Sequence, residues 1–166
     1  AGRKDPLEVR RRLLAGNPRA LGVLNLAAEK AGWGSPLPKG RARGIAVVPA
    51  FGSYAAMVAE VSVAKGAIKV HRLVSAIDCG LVVNPGIVES QLESGALFGL
   101  SATLHGEITF KGGKVEQGNF HDYRVVRMHE VPKLETHIVP STEAPGGVGE
   151  PGTPPVPAAI ANAVFA

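Results

Sequence analysis

The chain has 166 residues, 45% hydrophobic and 19% charged, which describes one globular domain with a real core rather than a disordered segment. Aromatic residues are only 5%, which excludes a stacking surface for single-stranded nucleic acid, and no apolar run approaches a membrane span. The single cysteine, Cys79, excludes an internal disulfide and a cysteine-cluster metal site. The net charge of +4 is uneven: residues 1–43 hold ten Lys/Arg (Arg3, Lys4, Arg10, Arg11, Arg12, Arg19, Lys30, Lys39, Arg41, Arg43) against Asp5, Glu8 and Glu29. That stretch carries +7, which leaves −3 for the remainder. With Trp33 the single aromatic among them, these charges read as a solvated helix face and a linker rather than a nucleic-acid arm.

Asp5-Pro6-Leu7-Glu8 is a helix start, with Asp at the N-cap, Pro at the first helical position and Glu at the third. That helix is expected to reach about Gly16. Asn17-Pro18 repeats the signal, and a second helix carries Leu21, Leu24 and Ala28 to Gly32. Residues 33–43, with Gly34, Pro36, Pro38 and Gly40, read as a loop or linker. The apolar period then changes. Ile45–Pro49, Tyr54–Ala64 and Ala67–Ile77 are Val/Ile-rich strands, the last two joined at Lys65-Gly66 by a tight turn. A third helix is predicted from Asn84-Pro85 to His105-Gly106. A second hairpin follows over Glu107–Phe110 and Lys114–Gln117 around Gly112-Gly113, then a strand over Leu134–Val139. Residues 140–155 are a Pro/Gly/Thr loop, and Pro157–Phe165 is a short apolar helix. The expected class is α+β, antiparallel hairpins with segregated helices, divided into a helical basic segment (1–43) and a second unit (44–166). Ala1 is not an initiator Met and Val164-Phe165-Ala166 stops in a helical pattern without a cap, so the chain is expected to be a piece of a longer protein.

Two stretches carry candidate chemistry. In Gly146-Gly147-Val148-Gly149-Glu150, three glycines in four positions allow close approach of a ligand, and Glu150 stands before Pro151 upstream of a helix start. A helix amino terminus favours the carboxylate, which suits a general base near neutral pH. The residue types alone also describe an exposed turn with a solvated glutamate. The Gly-Lys-Ser/Thr of a phosphate-binding P-loop is missing. On the third helix, Gln91, Gly95 and Gly99 fall at i, i+4 and i+8, one face without side chains beside one amide. That face suits either a flat ligand hydrogen-bonded by Gln91 or tight packing against another element. His71, His105, His121, His129 and His137 lack metal-ligand spacing.

Three segments stand in a recognisable order: Ala76-Ile-Asp-Cys-Gly80 with Val83-Asn-Pro85, Ser90-Gln-Leu-Glu-Ser-Gly95 with Phe98-Gly99-Leu100, and Gly147-Val-Gly-Glu150 with Pro157-Ala-Ala-Ile-Ala-Asn-Ala163. Their register resembles the carboxy-terminal part of the large subunit of the xanthine dehydrogenase/aldehyde oxidase family. With Ser53-Tyr54 and Glu150-Pro-Gly-Thr-Pro-Pro155, it is most similar to the isoquinoline 1-oxidoreductase beta subunit and related bacterial aldehyde dehydrogenases. The resemblance implies part of a larger molybdenum cofactor-binding domain, and an oxidoreductase in which Glu150 is the catalytic base. It implies an aldehyde or N-heterocyclic aromatic as substrate, with water-derived oxygen attacking the electrophilic carbon. The implied cofactor is molybdopterin cytosine dinucleotide, its molybdenum held by the pterin dithiolene and not by a protein side chain. Gln91, Gly95, Gly147, Val148 and Gly149 are the expected cofactor contacts. The expected partners are the remainder of the large subunit and an iron–sulfur subunit or domain with 2Fe-2S clusters. Where many members have Glu-Gly-Gly, this chain has Glu93-Ser94-Gly95, and the family's upstream cofactor segments are absent. The isolated chain, holding one wall of a pocket, is therefore expected to be inactive. The residues themselves leave two other readings: a non-catalytic cofactor- or subunit-interaction module, and an anion-binding domain using the Gly146–Gly149 loop.

Overall fold

The computed structural model describes residues 4–166; residues 1–3, with their share of the basic segment, lie outside it. Helix α1 (Pro6–Leu13) starts where Asp5 accepts the Leu7 and Glu8 amides at 2.7 and 3.2 Å, and α2 (Pro18–Lys30) starts on Asn17, which accepts the Ala20 amide at 3.1 Å. Strands β1 (Arg41–Ala50), β2 (Ser53–Ala64) and β3 (Ala67–Asp78) form an antiparallel meander. Lys65 and Gly66 both take positive φ (51° and 79°), the paired left-handed geometry of a two-residue hairpin turn. Phe51 and Gly52 do the same between β1 and β2 (54° and 77°), at a turn that the sequence pattern alone does not announce.

Helix α3 (Pro85–His105) is capped by Asn84 and buries Val88, Leu92, Gly95, Ala96, Gly99 and Leu100, one stripe at helical spacing. The expected small hairpin is present as β4 (Phe110–Lys111) and β5 (Lys114–Val115). Strand β6 (Lys133–Ile138) then joins β3 in parallel, with Leu73 opposite Leu134, so the sheet order is β1-β2-β3-β6. A parallel partner needs a long crossover, which α3 and the β4–β5 hairpin supply. Helix α4 (Pro155–Val164) closes the chain, starting two residues before the expected Pro157. No helix among the described residues is long and apolar enough to cross a membrane.

The α+β class is as expected, and the helices divide between the two faces of the meander. Alternation along β2 sets the layers. Ala56 and Val58 point to Val23, Leu24, Ala27 and Ala28 of α2, while Met57, Ala59 and Val61 meet Leu100 of α3 and Val156, Ala159 and Ile160 of α4. The basic stretch thus contributes one whole layer of the core. Its charges are not all solvated: β1 begins at Arg41, inside the expected linker, and Arg43 reaches Glu60 at 3.0 Å and the Gly32 carbonyl at 2.7 Å.

Arg43 opens a charge network that crosses all four strands of the sheet. Glu60, 6% exposed, also meets Arg72 at 3.4 Å, and Arg72 grips both carboxylate oxygens of Glu135 at 2.9 and 2.8 Å. Arg72 donates as well to the Lys30 carbonyl at 2.9 Å, placing a cation at the end of α2 where the helix dipole favours it. The Arg72 hydrogen bonds, helped by Lys133, hold the Glu135 carboxyl at about 2 against an ordinary 4.5. A depressed carboxyl stabilises the fold above its unfolded pKa and loses that contribution as pH falls through its folded value, here between about 4.5 and about 2. Because the pair is partly solvated, the contribution is about 1–2 kcal/mol. Urea titrations are therefore expected to find Glu135→Gln less stable than the parent by that amount at pH 6, the gap closing at pH 2. A gap that stays constant with pH would remove this assignment.

Candidate functional site

The segment between β6 and α4 is laid down along the end of the sheet by backbone pairing. The Val139 amide donates to the Ile77 carbonyl at 2.8 Å, and the Leu81 amide donates back to Glu143 at 2.9 Å. The Gly146 amide then donates to Cys79, and the Gly147 amide to Phe51 in the β1–β2 turn, both at 2.8 Å. Ser53 Oγ donates to the Gly147 carbonyl at 2.7 Å. Val148 packs its side chain on Ile77, Cys79, Val88 and Leu92. Beyond it a turn closes from the Thr153 amide to the Glu150 carbonyl at 2.9 Å, and Thr153 Oγ1 donates to the Gly95 carbonyl at 3.0 Å.

The three loop glycines have different causes. A Cβ at Gly146 would stand 2.4 Å from Ser53 Oγ, and one at Gly147 would stand 2.8 Å from Phe51 Cβ, so both are explained by packing within the chain. At Gly149 a Cβ would meet only Gln91 Oε1, at 4.0 Å, and its φ is not positive. Nothing inside the described residues requires glycine there. The open side faces a cleft of about 420 Å³ lined by Phe51, Ser94, Gly95, Phe98, Glu150 and Thr153, with Gly149 and Pro154.

The helix strip is also resolved residue by residue. A Cβ at Gly95 would lie 3.2 Å from Gly152 Cα and one at Gly99 would lie 2.6 Å from the Thr153 carbonyl, so the strip seats residues 152–156. Gly95 lines the cleft as well, while Gln91 is exposed beside Gly149. The structure thus gathers Gly95, Gly149 and Glu150 at one cleft, with Gln91 beside Gly149 but outside the lining, and turns Gly147 and Val148 away toward Phe51 and Cys79. Helix α4 begins five residues beyond Glu150, too far for its dipole to act strongly on that carboxylate. Glu150 is exposed and is the one titratable residue lining the cleft; no donor among the described residues bonds its carboxylate. The amides of Val148, Gly149 and Glu150 likewise have no backbone acceptor among the described residues.

Two aromatic lining residues are not among the expected contacts, although Phe98 stands in the third-helix motif. Phe51 and Phe98 stand 64% and 76% exposed at the cleft mouth, on elements 47 residues apart in the chain. Phe51 also holds positive φ, an uncommon backbone state for an aromatic residue and one that tends to mark functional sites. The Ala50-Phe51-Gly52-Ser53 run, a glycine between two strands, is the one signal that could have located it.

A molybdopterin cofactor-binding domain model matches residues 25–132, more than half of the chain. The chain belongs to the molybdopterin cofactor-binding family. Over 164 residues it is 34% identical to the isoquinoline 1-oxidoreductase subunit beta of Brevundimonas diminuta, covering 96% of this chain and 21% of that protein. It is 33% identical to the membrane-bound aldehyde dehydrogenase (pyrroloquinoline-quinone) of Gluconacetobacter polyoxogenes, covering 98% of this chain and 24% of that protein. The fold matches that of the Cu,Mo-CO dehydrogenase crystal structure with a TM-score of 0.60 and 27% identity, over 68% of this chain and 16% of that one. The chain spans about a fifth of the length of the curated relatives it matches. The family model ends at Pro132, ahead of the Glu150 loop, whereas the match to the isoquinoline enzyme's subunit runs across it.

Proposed function

We propose that this chain forms one wall of the active site of a molybdenum hydroxylase that oxidises an aldehyde or an N-heterocyclic aromatic with water-derived oxygen, with Glu150 as the general base. The observation that carries the reading is the Glu150 carboxylate, free of any donor among the described residues, in an apolar cleft beside the open face of Gly149. The residues fit the cofactor: a glycine whose missing side chain nothing among the described residues fills, three successive amides without an acceptor among those residues, and the Gln91 carboxamide as donor and acceptor. When bound, the molybdenum cofactor supplies the two-electron oxidant. Glu150 takes the proton from the attacking oxygen, Gln91 and the loop amides orient the cofactor, and Phe51 and Phe98 exclude water and face a flat substrate. From the motif resemblance, the same reading assigns the cytosine dinucleotide form of the cofactor and electron exit through 2Fe-2S clusters on a partner subunit or domain.

The experiment is oxidation of an aldehyde and of an N-heterocycle by the full-length enzyme in ¹⁸O-labelled water. Label in the product is expected. Oxygen drawn from O₂ would overturn the reading. A purely structural role in seating the rest of a large subunit is favoured by one observation, the exposure of Val83, Phe120, Met128 and Phe165 at 92%, 95%, 89% and 90%. It predicts the same labelling with Glu150 dispensable.

A further inference from the structure

The Glu150 loop is held by acceptors on two separate strand ends, the Phe51 carbonyl in the β1–β2 turn and the Cys79 carbonyl just past β3. Both ends lie just past the last pairs of the sheet, Ala50 with Ser53 and Tyr54 with Asp78, so β2 holds them side by side and leaves the Phe51-Gly52 turn and Cys79 beyond the ladder. One side chain touches both. Arg19, in the first turn of α2, grips Asp78 through Nε to Oδ2 at 2.9 Å and Nη2 to Oδ1 at 2.8 Å. Nη2 also donates to the Asp78 carbonyl and Nη1 to the Gly52 carbonyl, both at 3.3 Å. The guanidinium carbon lies 5.0 Å from the Tyr54 ring centroid, a cation–π contact that fixes its plane. Asp78 is 3% exposed and its Oδ1 accepts the Gly80 amide at 3.0 Å, which shapes the corner carrying the Cys79 carbonyl.

We propose that Arg19 is a positioning residue for the Glu150 loop: its planar fork ties Asp78 to the Phe51-Gly52 turn, and so sets the spacing of the two carbonyls on which Gly146 and Gly147 hang. The proposal rests on the function assigned to Glu150 above only where it predicts turnover. Four donor contacts from one guanidinium to two segments need the rigid fork of arginine; a lysine offers a point charge and reaches one partner at a time. Asp78 is the matching half: as the bidentate acceptor it fixes where the fork lies. Glu143, at the start of the loop, adds a second carboxylate close enough for its charge to reach Arg19. The bond spans 59 residues of sequence, and a basic residue in a helix with no acidic partner nearby in the chain reads locally as a solvent-facing charge. That is why the sequence pattern does not reveal it.

The test uses amide hydrogen exchange on this chain, followed residue by residue, for Arg19→Met and Arg19→Lys. Losing the charge-assisted fork is expected to speed exchange at Gly146 and Gly147 by about tenfold or more relative to Met57 and Val58 at the sheet centre. Arg19→Lys is expected to fall between the parent and Arg19→Met. If Gly146 and Gly147 accelerate only as much as Met57 and Val58, Arg19 merely holds α2 to the sheet and the proposal fails. In the full-length enzyme, Arg19→Lys is expected to lower kcat with KM nearly unchanged, since a displaced base affects the chemical step more than binding. Local loosening with unchanged kcat would count against Glu150 as the base while leaving the anchor in place. The two failures are therefore distinguishable.

Discussion

Glu150→Gln in the full-length enzyme is expected to lower turnover by about 10²–10⁴-fold, roughly 3–5 kcal/mol at 1.36 kcal/mol per decade, with molybdenum content unchanged. Glutamine keeps the shape and the hydrogen-bonding reach but cannot take up the proton, so the substitution separates proton abstraction from positioning. The setting makes the comparison clean. The carboxylate bonds to no donor among the described residues, so removing its charge leaves no protein group there orphaned. The loop's shape rests on backbone bonds at Gly146, Gly147 and Thr153, which the substitution does not touch. On the function proposed above, with 2Fe-2S clusters as the electron exit, the loss should fall in the half-reaction that reduces the enzyme, read as slowed bleaching of their absorbance by substrate. A solvated turn residue would leave the rate within a factor of a few, because surface substitutions away from special features rarely matter more. Normal molybdenum content with near-normal single-turnover reduction would remove Glu150 from the mechanism.

Local chemistry was legible in the sequence and long-range geometry was not. Asp5, Asn17 and Asn84 each announce a helix because a side-chain oxygen bonds an amide two or three residues on, a relation wholly contained in a short window. Lys65-Gly66 is legible for the same reason. The Phe51-Gly52 turn has the same backbone but a phenylalanine at a left-handed position, which composition argues against. The parallel seat of β6 on β3 depends on α3 acting as a crossover, and no feature of Lys133–Ile138 encodes it. The glycines are the sharpest case. Gly146, Gly147 and Gly149 are the same letter in one motif, yet the first two are fixed by Ser53 and Phe51, some 94 positions away in the chain for the Ser53–Gly147 pair, and only Gly149 is left open to a ligand. The Gln91-Gly95-Gly99 strip divides the same way, with Gly99 and Gly95 seating residues 152–156 and Gln91 at the open side.

Gly44→Ala is expected to be the most damaging single-methyl change in the sheet, lowering stability by about 3 kcal/mol. A Cβ at this position of β1 would stand 2.1 Å from the Ala159 carbonyl oxygen, 2.2 Å from the Ala163 amide nitrogen and 2.8 Å from the Asn162 carbonyl carbon. All three are backbone atoms of α4, so no side chain can rotate to make room and the whole helix must back away from the strand. That helix contributes Val156, Ala159, Ile160 and Ala163 to the core, each at most 1% exposed, and Asn162 Nδ2 donates to the Ile45 carbonyl at 3.0 Å. Lifting it opens gaps beside every one of them, in an interior where contact falls off steeply with separation. For a domain of this size the melting temperature should drop by about 6–12 °C. Gly22→Ala in α2 is the control: nothing lies within 4 Å of its Cβ, and alanine is the better helix former by about 0.5–1 kcal/mol. The same chemical change is thus expected to have opposite signs at the two sites. Thermal melts of the two variants check it; a Gly44→Ala chain melting within a degree or two of the parent would mean that α4 does not lie against β1 as closely as described.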